Sequence, residues 1–474
     1  MKTKKTALKA ILLTATCLAS PIAHGQSSNT EQLAMVIEEI IVTGRPVTYN
    51  NAAASEQMLS QQTPLTSALS VIDNLPGVSI QEGDTFGFDD WSTTVSIRGF
   101  QVSLDDQQVG STIDGLPNGN SNYGGGAKAN RYIDSQNLAS VEVAQGTADI
   151  ASLSTEALGG TLNFITQDPT REQRLRVSAS IGQFGSERVY FRYDTGELFN
   201  SNTYAWVSVS HQEATDWVNG AAENYRDHLA FKLTSEVGDA TNLSVYFSYD
   251  DTHEDNYQRL FSAADFAANS EWDQLTAEWT GLPYVDQLYR KGWSTLRENV
   301  FAYVKASSEI MDGVTLEGAA YTHHNYGRGD WVPPYLVDVR NDGAGNGHSE
   351  FLGGSTVEGG AILGLIQFVD ANGVQFSPAA GCESSITFPY GGAGPQYDPA
   401  CHPAGAIPVQ SYRHTHYRKQ RYGVSADFTY EADFGDIENI FRGGLWYEDT
   451  TREEWRDWHK ITDTRVGFEF NDPA

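Results

Sequence analysis

The sequence predicts a β protein, a transmembrane antiparallel β-barrel preceded by a small α/β domain. Three observations predict it. Beyond Asp168-Pro169 the chain becomes a series of strands that alternate apolar and polar residues. The connections between those strands alternate between tight and long. After the first 25 residues, no run of about 18 apolar residues offers a membrane helix, so any crossing must use strands, whose inward positions are polar. Abundant glycine (45), tyrosine (23) and phenylalanine (21) fit that class.

In chain order, Lys2, Lys4 and Lys5, the apolar Ala10 to Ala19 and the small-x-small Ala23-His24-Gly25 read as a secretory signal peptide, residues 1–25. Cys17 leaves with it. Cys382 and Cys401 remain, and in an exported chain an even residual count favours a disulfide over metal or catalysis. Residues 26–49 form a flexible N-terminus. Within it, Glu38-Glu39-Ile40-Ile41-Val42-Thr43-Gly44-Arg45 reads as an extended strand with no nearby partner, either an ordinary edge strand or a handle for strand addition by another sheet.

Residues 50–168 carry compact mixed punctuation. Pro64 to Leu69 opens a short helix, Leu75-Pro76-Gly77 turns into the strand Val78-Ser79-Ile80, and Val141-Glu142-Val143-Ala144 is a further strand. Residues 169–474 are the barrel strands: Leu175–Ile181, Val189–Tyr193, Tyr204–Ser210, His228–Thr234 and Leu243–Tyr249, then hairpins near 296–326 and 422–455. The tight turns near 194–202, 238–242 and 311–313 should face the periplasm, and the long loops near 250–294 and 327–419 the exterior.

Nine or ten such strands are too few to enclose the preceding domain. A ten-strand barrel is only about 20 Å across between backbones, against a radius of gyration of about 13 Å for a domain of that size. The chain also ends without a terminal aromatic strand residue, and the barrel is expected to be incomplete in it.

Five motifs in order, Glu39-Ile40-Ile41-Val42-Thr43-Gly44, Leu75-Pro76-Gly77-Val78, Val95-Ser96-Ile97-Arg98-Gly99-Phe100, Ile113-Asp114-Gly115-Leu116-Pro117 and Leu158-Gly159-Gly160-Thr161-Leu162-Asn163-Phe164, resemble those of TonB-dependent outer-membrane receptors. The resemblance implies a 22-stranded barrel enclosing an N-terminal plug. It makes residues 38–45 the TonB box, with Glu39, Ile40, Ile41, Val42, Thr43 and Gly44 its TonB-binding residues, and makes TonB, with its inner-membrane energising complex, a partner alongside outer-membrane lipid and lipopolysaccharide. It also implies energy-coupled import, with a ferric siderophore the commonest substrate and a carbohydrate, cobalamin or another scarce nutrient the alternative. Gln26 to Ile37 is too short for a signalling domain.

Arg98 is either the plug–barrel lock that pairs with barrel glutamates in the family or a solvated lumen arginine. One departure stands out: many relatives have Arg-Gly-Pro where this chain has Gln145-Gly146-Thr147. Asn118, Asn120, Asn122 and Tyr123 resemble a plug apex able to bind an oxygen-rich ligand. His323, His324, Arg328 and Trp331 form a second candidate set, either ligand contacts or an interfacial aromatic girdle.

No cofactor and no metal set is expected. His414 and His416 share a strand face without further ligands, and there is no serine elbow, phosphate loop or His-Glu-x-x-His. A net charge of −30 excludes a nucleic-acid footprint. A passive porin or an adhesin-like surface barrel is the competing class, against which the plug motifs and the N-terminal strand argue.

Overall fold

The computed structural model describes residues 51–461 except 85, 87–92, 103–107, 119–132, 147–151, 155–156, 200, 259, 261, 282–285, 287, 333–366, 373, 377–404 and 435–436. The signal segment, residues 38–45, Asn120, Asn122, Tyr123, Cys382 and Cys401 lie outside the described residues.

The N-terminal domain builds two small sheets. Its elements are β1 (Asn51–Ala54), α1 (Glu56–Ser60), a 3-10 turn at Ser70–Asn74, β2 (Val78–Gln81), β3 (Thr94–Ile97), β4 (Phe100–Val102), β5 (Gly110–Ile113), β6 (Leu116–Pro117), a 3-10 turn at Ser135–Asn137, β7 (Leu138–Gln145) and β8 (Gly160–Thr166). One sheet runs β1-β7-β8-β5-β6 and the other β2-β3-β4. β8 is central because all seven of its residues are buried, covered on both faces. The close crossing beside β8 requires a glycine: a Cβ on Gly160 would sit 1.8 Å from the Ala144 carbonyl oxygen, at φ +121°.

Two hairpins turn on dipeptides with both φ angles positive, Arg98-Gly99 (51° and 90°) and Asp114-Gly115 (50° and 83°), the signature of type I′ turns. Glycine relieves the second position, and Arg98 and Asp114 tolerate the first at a cost of about 1–2 kcal/mol each.

The rest of the chain is a meander: β9 (Gln173–Ile181), β10 (Glu187–Leu198), β11 (Thr203–Ala214), β12 (Asn224–Val237), β13 (Thr241–Asp255), α2 (Ala263–Ala268), β14 (Ser294–Met311), β15 (Val314–Trp331), β16 (Gln367–Val369), β17 (Gln375–Phe376), β18 (Ile407–Phe434) and β19 (Ile437–Ile461). Neighbours pair antiparallel from β9 through β15 to β18 and β19, while β16 and β17 extend the start of β18. Among the described residues the sheet does not close on itself.

Alternation sorts the two faces. In β10, Arg188, Tyr190, Arg192 and Asp194 are buried on the side of the N-terminal domain, and Val189, Phe191 and Tyr193 point the other way. Leu229, Val304, Leu316 and Val424 continue that outer apolar face on later strands.

Tight connections (199–202, 238–240, 312–313) lie at one rim and the longer ones (215–223, 256–293, 332–406) at the other; the first is shorter than the sequence reading, because β10 runs on through Asp194 to Leu198. Strands run further than the alternation suggested. β13 continues to Asp255 and β18 begins at Ile407, because Asp250, Thr252 and Glu254 are polar residues on the wall's inner face, so polarity there does not mark a loop. A single core joins both parts: Val71, Ile97, Ile113, Val143 and Phe164 of the domain pack with Trp206, Tyr246, Phe301 and Tyr303 of the wall.

Candidate functional site

The described residues most densely tied to one another across the two parts lie where the domain meets the wall. The β5–β6 turn presents Asp114, 5% exposed, to β14. Its Oδ1 accepts from the Thr166 amide (2.9 Å), and its Oδ2 from the Thr166 hydroxyl (2.6 Å) and the Tyr303 hydroxyl (2.7 Å). Lys305 Nζ donates to the Asp114 carbonyl at 2.8 Å. Lys232 of β12 donates to the Thr166 hydroxyl at 2.8 Å and pairs with Asp168 at 2.7 Å and, further off, with Asp114 at 3.9 Å. Lys232 thus meets two carboxylates, the buried Asp114 and the exposed Asp168, while Lys305 pairs with Glu317 at 3.8 Å. Behind Asp114, Asn163 accepts from Thr112 and the Gly115 amide and donates to Glu142. Burial pushes the Glu142 carboxyl up; the Asn163 hydrogen bond opposes this and Asp114 adds to it.

A second node stands at the Ser135–Asn137 turn. Asp134 caps that turn through the Gln136 amide (2.8 Å), pairs with Arg188 at 2.5 Å and accepts from Ser210 at 2.6 Å. Burial raises its carboxyl, but Arg188, then His228, Ser210 and Arg226, outweigh burial and hold it well below the usual carboxylate range. Asn137 bridges two strands, donating to Ser208 at 2.8 Å and accepting from Tyr190 at 2.7 Å. Arg226 reaches the Ile133 carbonyl (3.0 Å) and the Trp206 indole the Gln167 carbonyl (2.7 Å). Backbone carbonyls and buried carboxylates of the domain are therefore met by cations, hydroxyls and an indole of the wall.

The sequence-derived candidates fall elsewhere. Arg98 is exposed in its turn, its amide bonded to the Gly77 carbonyl, and among the described residues it makes no ion pair with the wall. Asn118 is fully buried and accepts from Ser111, so its side chain serves the β5–β6 hairpin.

The second set is not brought together. His323 is buried against Phe301 on the plug side. His324 points to the outer face, between Thr322 and Tyr326 and edge-on to Tyr422. Arg328 shares that outer parity and pairs with Asp330 at 3.2 Å, and Trp331 packs near Trp293 beneath Arg413. Adjacent strand residues cannot share a face, which separates His323 from His324. His414 and His416 do share one, their rings 5.6 Å apart, with His414 buried beside Asp330 and His416 stacked on Trp455. Gln145, standing in the departing motif, reaches back to the Pro76 carbonyl and ties β7 to the Leu75-Pro76-Gly77 turn.

Sequence reasoning quoted Asp114 only inside a motif and missed Asp134, Asn137, Arg188, Lys232 and Lys305. A signal existed: Arg188, Lys232 and Lys305 each sit at an inward parity position of an otherwise alternating strand, where a cation needs a buried partner.

An α/β domain seated against the inner face of a long antiparallel meander defines the class of plugged β-barrels. Residues 45–161 match the family model of the TonB-dependent Receptor Plug Domain.

Solved structures with the same fold include the ferric citrate transporter FecA in its unliganded form (TM-score 0.58, 12% identity, covering 89% of this chain and 50% of that one). The ferripyoverdine receptor of the outer membrane of Pseudomonas aeruginosa gives a TM-score of 0.56 at 13% identity, over 90% of this chain and 47% of that one. BauA, the ferric preacinetobactin receptor from Acinetobacter baumannii, gives 0.55 at 12%, over 86% and 48%. The chain thus spans about half the length of these neighbours. No curated protein matches it in sequence.

Proposed function

We propose that this chain serves energy-coupled import across the outer membrane of a Gram-negative bacterium, as a transporter and not an enzyme, with a ferric siderophore as its ligand. The observation that carries the reading is the plug held on the inner face of the wall by the Asp114 and Asp134 nodes. A domain so placed blocks passage until work moves it. The outer membrane has no ATP, so that work arrives mechanically. TonB adds residues 39–44 to its own sheet, and a strand pulled along its length loads several hydrogen bonds together. The siderophore assignment is supported by the ferric ligands of the three neighbours above. Outer-membrane lipid and lipopolysaccharide surround the apolar outer face.

Deleting Glu38 to Gly44 tests the coupling: uptake vanishes while ligand binding and folding persist, and loss of binding would make the segment structural. Growth rescue by purified siderophores under iron limitation tests the substrate. Planar-bilayer conductance separates this reading from a passive porin, because a plugged receptor stays closed.

A further inference from the structure

Away from the plug nodes, the long-loop rim builds a second, self-supporting structure. Arg290 is fully buried and meets Asp273 through two nitrogens at 2.7 and 2.9 Å, with Asp216 at 3.5 Å. Asp216 gathers the amides of Val218, Asn219, Gly220 and Ala222. Burial raises its carboxyl, but Arg290 and those amides outweigh burial and hold it low, so the node stays ionised. The Arg290 guanidinium lies 5.4 Å from the Tyr257 ring, and Tyr257 stacks on Trp217 at 6.1 Å and 16°. The Trp217 indole N–H donates to the plug carbonyl of Gly83 at 2.8 Å, and 40% of the residue stays exposed. Trp217 is thus a fixed plate with an open face.

That face borders a cavity of about 780 Å³ between the 182–186, 215–223 and 256–293 connections, within the roughly 300–1,000 Å³ of small-molecule sites. Phe184 and Trp272, 44% exposed each, supply further aromatic wall, and the Trp272 indole is anchored on the Leu275 carbonyl at 3.2 Å. The polar lining is Asn219, Asn269, Glu271 and Thr276. The Thr276 hydroxyl is buried and has no hydrogen-bond partner among the described residues. Among the described residues, no lysine or arginine lines the cavity.

This chemistry discriminates between ligands. An anionic ferric chelate needs cations, and among the described lining residues the one charge is the Glu271 carboxylate. Indole faces beside amide, carboxylate and hydroxyl groups match a ring with apolar C–H faces and a rim of hydroxyls. We propose that this cavity is a carbohydrate-binding site at the long-loop rim of the receptor, taking a neutral sugar ring against Trp217 and Trp272. It does not rest on the siderophore reading. The sugar comes either from an external oligosaccharide or from the glycan of lipopolysaccharide.

Calorimetric titration of the intact receptor in detergent with maltohexaose, cellohexaose, lipopolysaccharide core oligosaccharide and ferric citrate tests it. At least one oligosaccharide binds saturably. Trp272→Ala weakens it about tenfold or more, Thr276→Val weakens it less, and ferric citrate does not compete. Binding of the core oligosaccharide alone assigns an envelope glycan, and binding of either glucose oligomer an external one. Deleting Glu38 to Gly44 leaves this binding unchanged, so failure of coupled import and failure of the sugar site read out separately. The proposal is overturned if no oligosaccharide saturates at millimolar concentration, if ferric citrate displaces the sugar, or if both folded variants bind within twofold of the parent.

Discussion

Replacing Asp114 by Ala removes the carboxylate that joins Thr166 of the plug to Tyr303 of β14, while leaving the turn glycine and the backbone carbonyl held by Lys305 in place. The carboxylate holds three hydrogen bonds, from the Thr166 amide, the Thr166 hydroxyl and the Tyr303 hydroxyl, and it helps balance Lys232. Removing one side of such a buried charged network costs about 3–5 kcal/mol, because the donors left behind are buried and cannot all reach water. Lys232 keeps Asp168 at 2.7 Å, which sets the cost toward the lower end of that range. At about 1.4 kcal/mol per tenfold, the opening equilibrium of the plug–wall contact rises by roughly two powers of ten. Amide hydrogen exchange of the purified receptor reads this directly: the Thr166 amide and its β8 neighbours should lose protection by that factor, while β12 and β13 amides change little. Asp312→Asn, in an exposed tight turn, is the control and should leave β8 protection as it was. If Asp114→Ala alters β8 protection less than tenfold, the node is not what holds this side of the plug, and the reasoning fails.

Gly160→Ala should prevent normal plug assembly, since its methyl group would overlap the Ala144 carbonyl in a backbone conformation that L residues avoid; heat-modifiable gel mobility and exchange at β7 would show it. Trp206→Phe removes the indole donor to the Gln167 carbonyl and should cost about 1 kcal/mol of plug–wall stability in denaturant titration, with uptake retained. The Asp134 carboxyl is held below its ordinary value, so its contribution is fully present above the unfolded carboxylate pKa of about 3.9 and is lost only as pH falls through the lower folded value. The protection factors of the Asn137 and Leu138 amides, taken against intrinsic exchange at each pH, should therefore hold steady from pH 7 to about pH 4 and fall below that. Under the proposed lock, Arg98→Ala lowers uptake without loosening the fold, because the side chain is exposed; normal uptake removes Arg98 from the mechanism.

Much of the wall was legible because alternation survives wherever one face is apolar. Val189-Tyr190-Phe191-Arg192-Tyr193 shows its two faces in five letters, and the structure places Tyr190 and Arg192 inward as that pattern requires. Legibility stops at the outer strand ends. Asp250 to Asp255 reads as loop by composition, yet it is strand, since ladder pairing to β12 and β14 needs only backbone groups. The interface nodes were harder to find for a different reason. Asp114 meets Tyr303 across 189 positions of sequence and Asp134 meets Arg188 across 54, and no local rule connects them. The candidate set around His323 and His324 was drawn from neighbours in sequence, where a period of two sends them to opposite faces. Arg290, the centre of the loop node, offered no sequence signal beyond its own charge.

The distribution of these contacts decides how force entering at the N-terminus is shared. The ion pairs and hydrogen bonds of the nodes tie the β5–β6 turn, residues 133–137 and residues 166–168 to the wall, while the N-terminal half is held through the Pro64 and Gly83 carbonyls, by Arg188 and Trp217. β1, the described strand nearest the N-terminal box, sits at the edge of its sheet and pairs with β7 alone over Asn51 to Ala54. A pull transmitted from residues 39–44 therefore meets a four-residue edge strand before it meets any buried ion pair. Releasing β1 uncovers one side of β7 but leaves β7 paired to β8 along its length. β8 in turn stays fastened through Thr166 to Asp114 and Lys232. Under the proposed coupling, the plug thus yields from its N-terminal edge inward, and the charged nodes mark the part that resists.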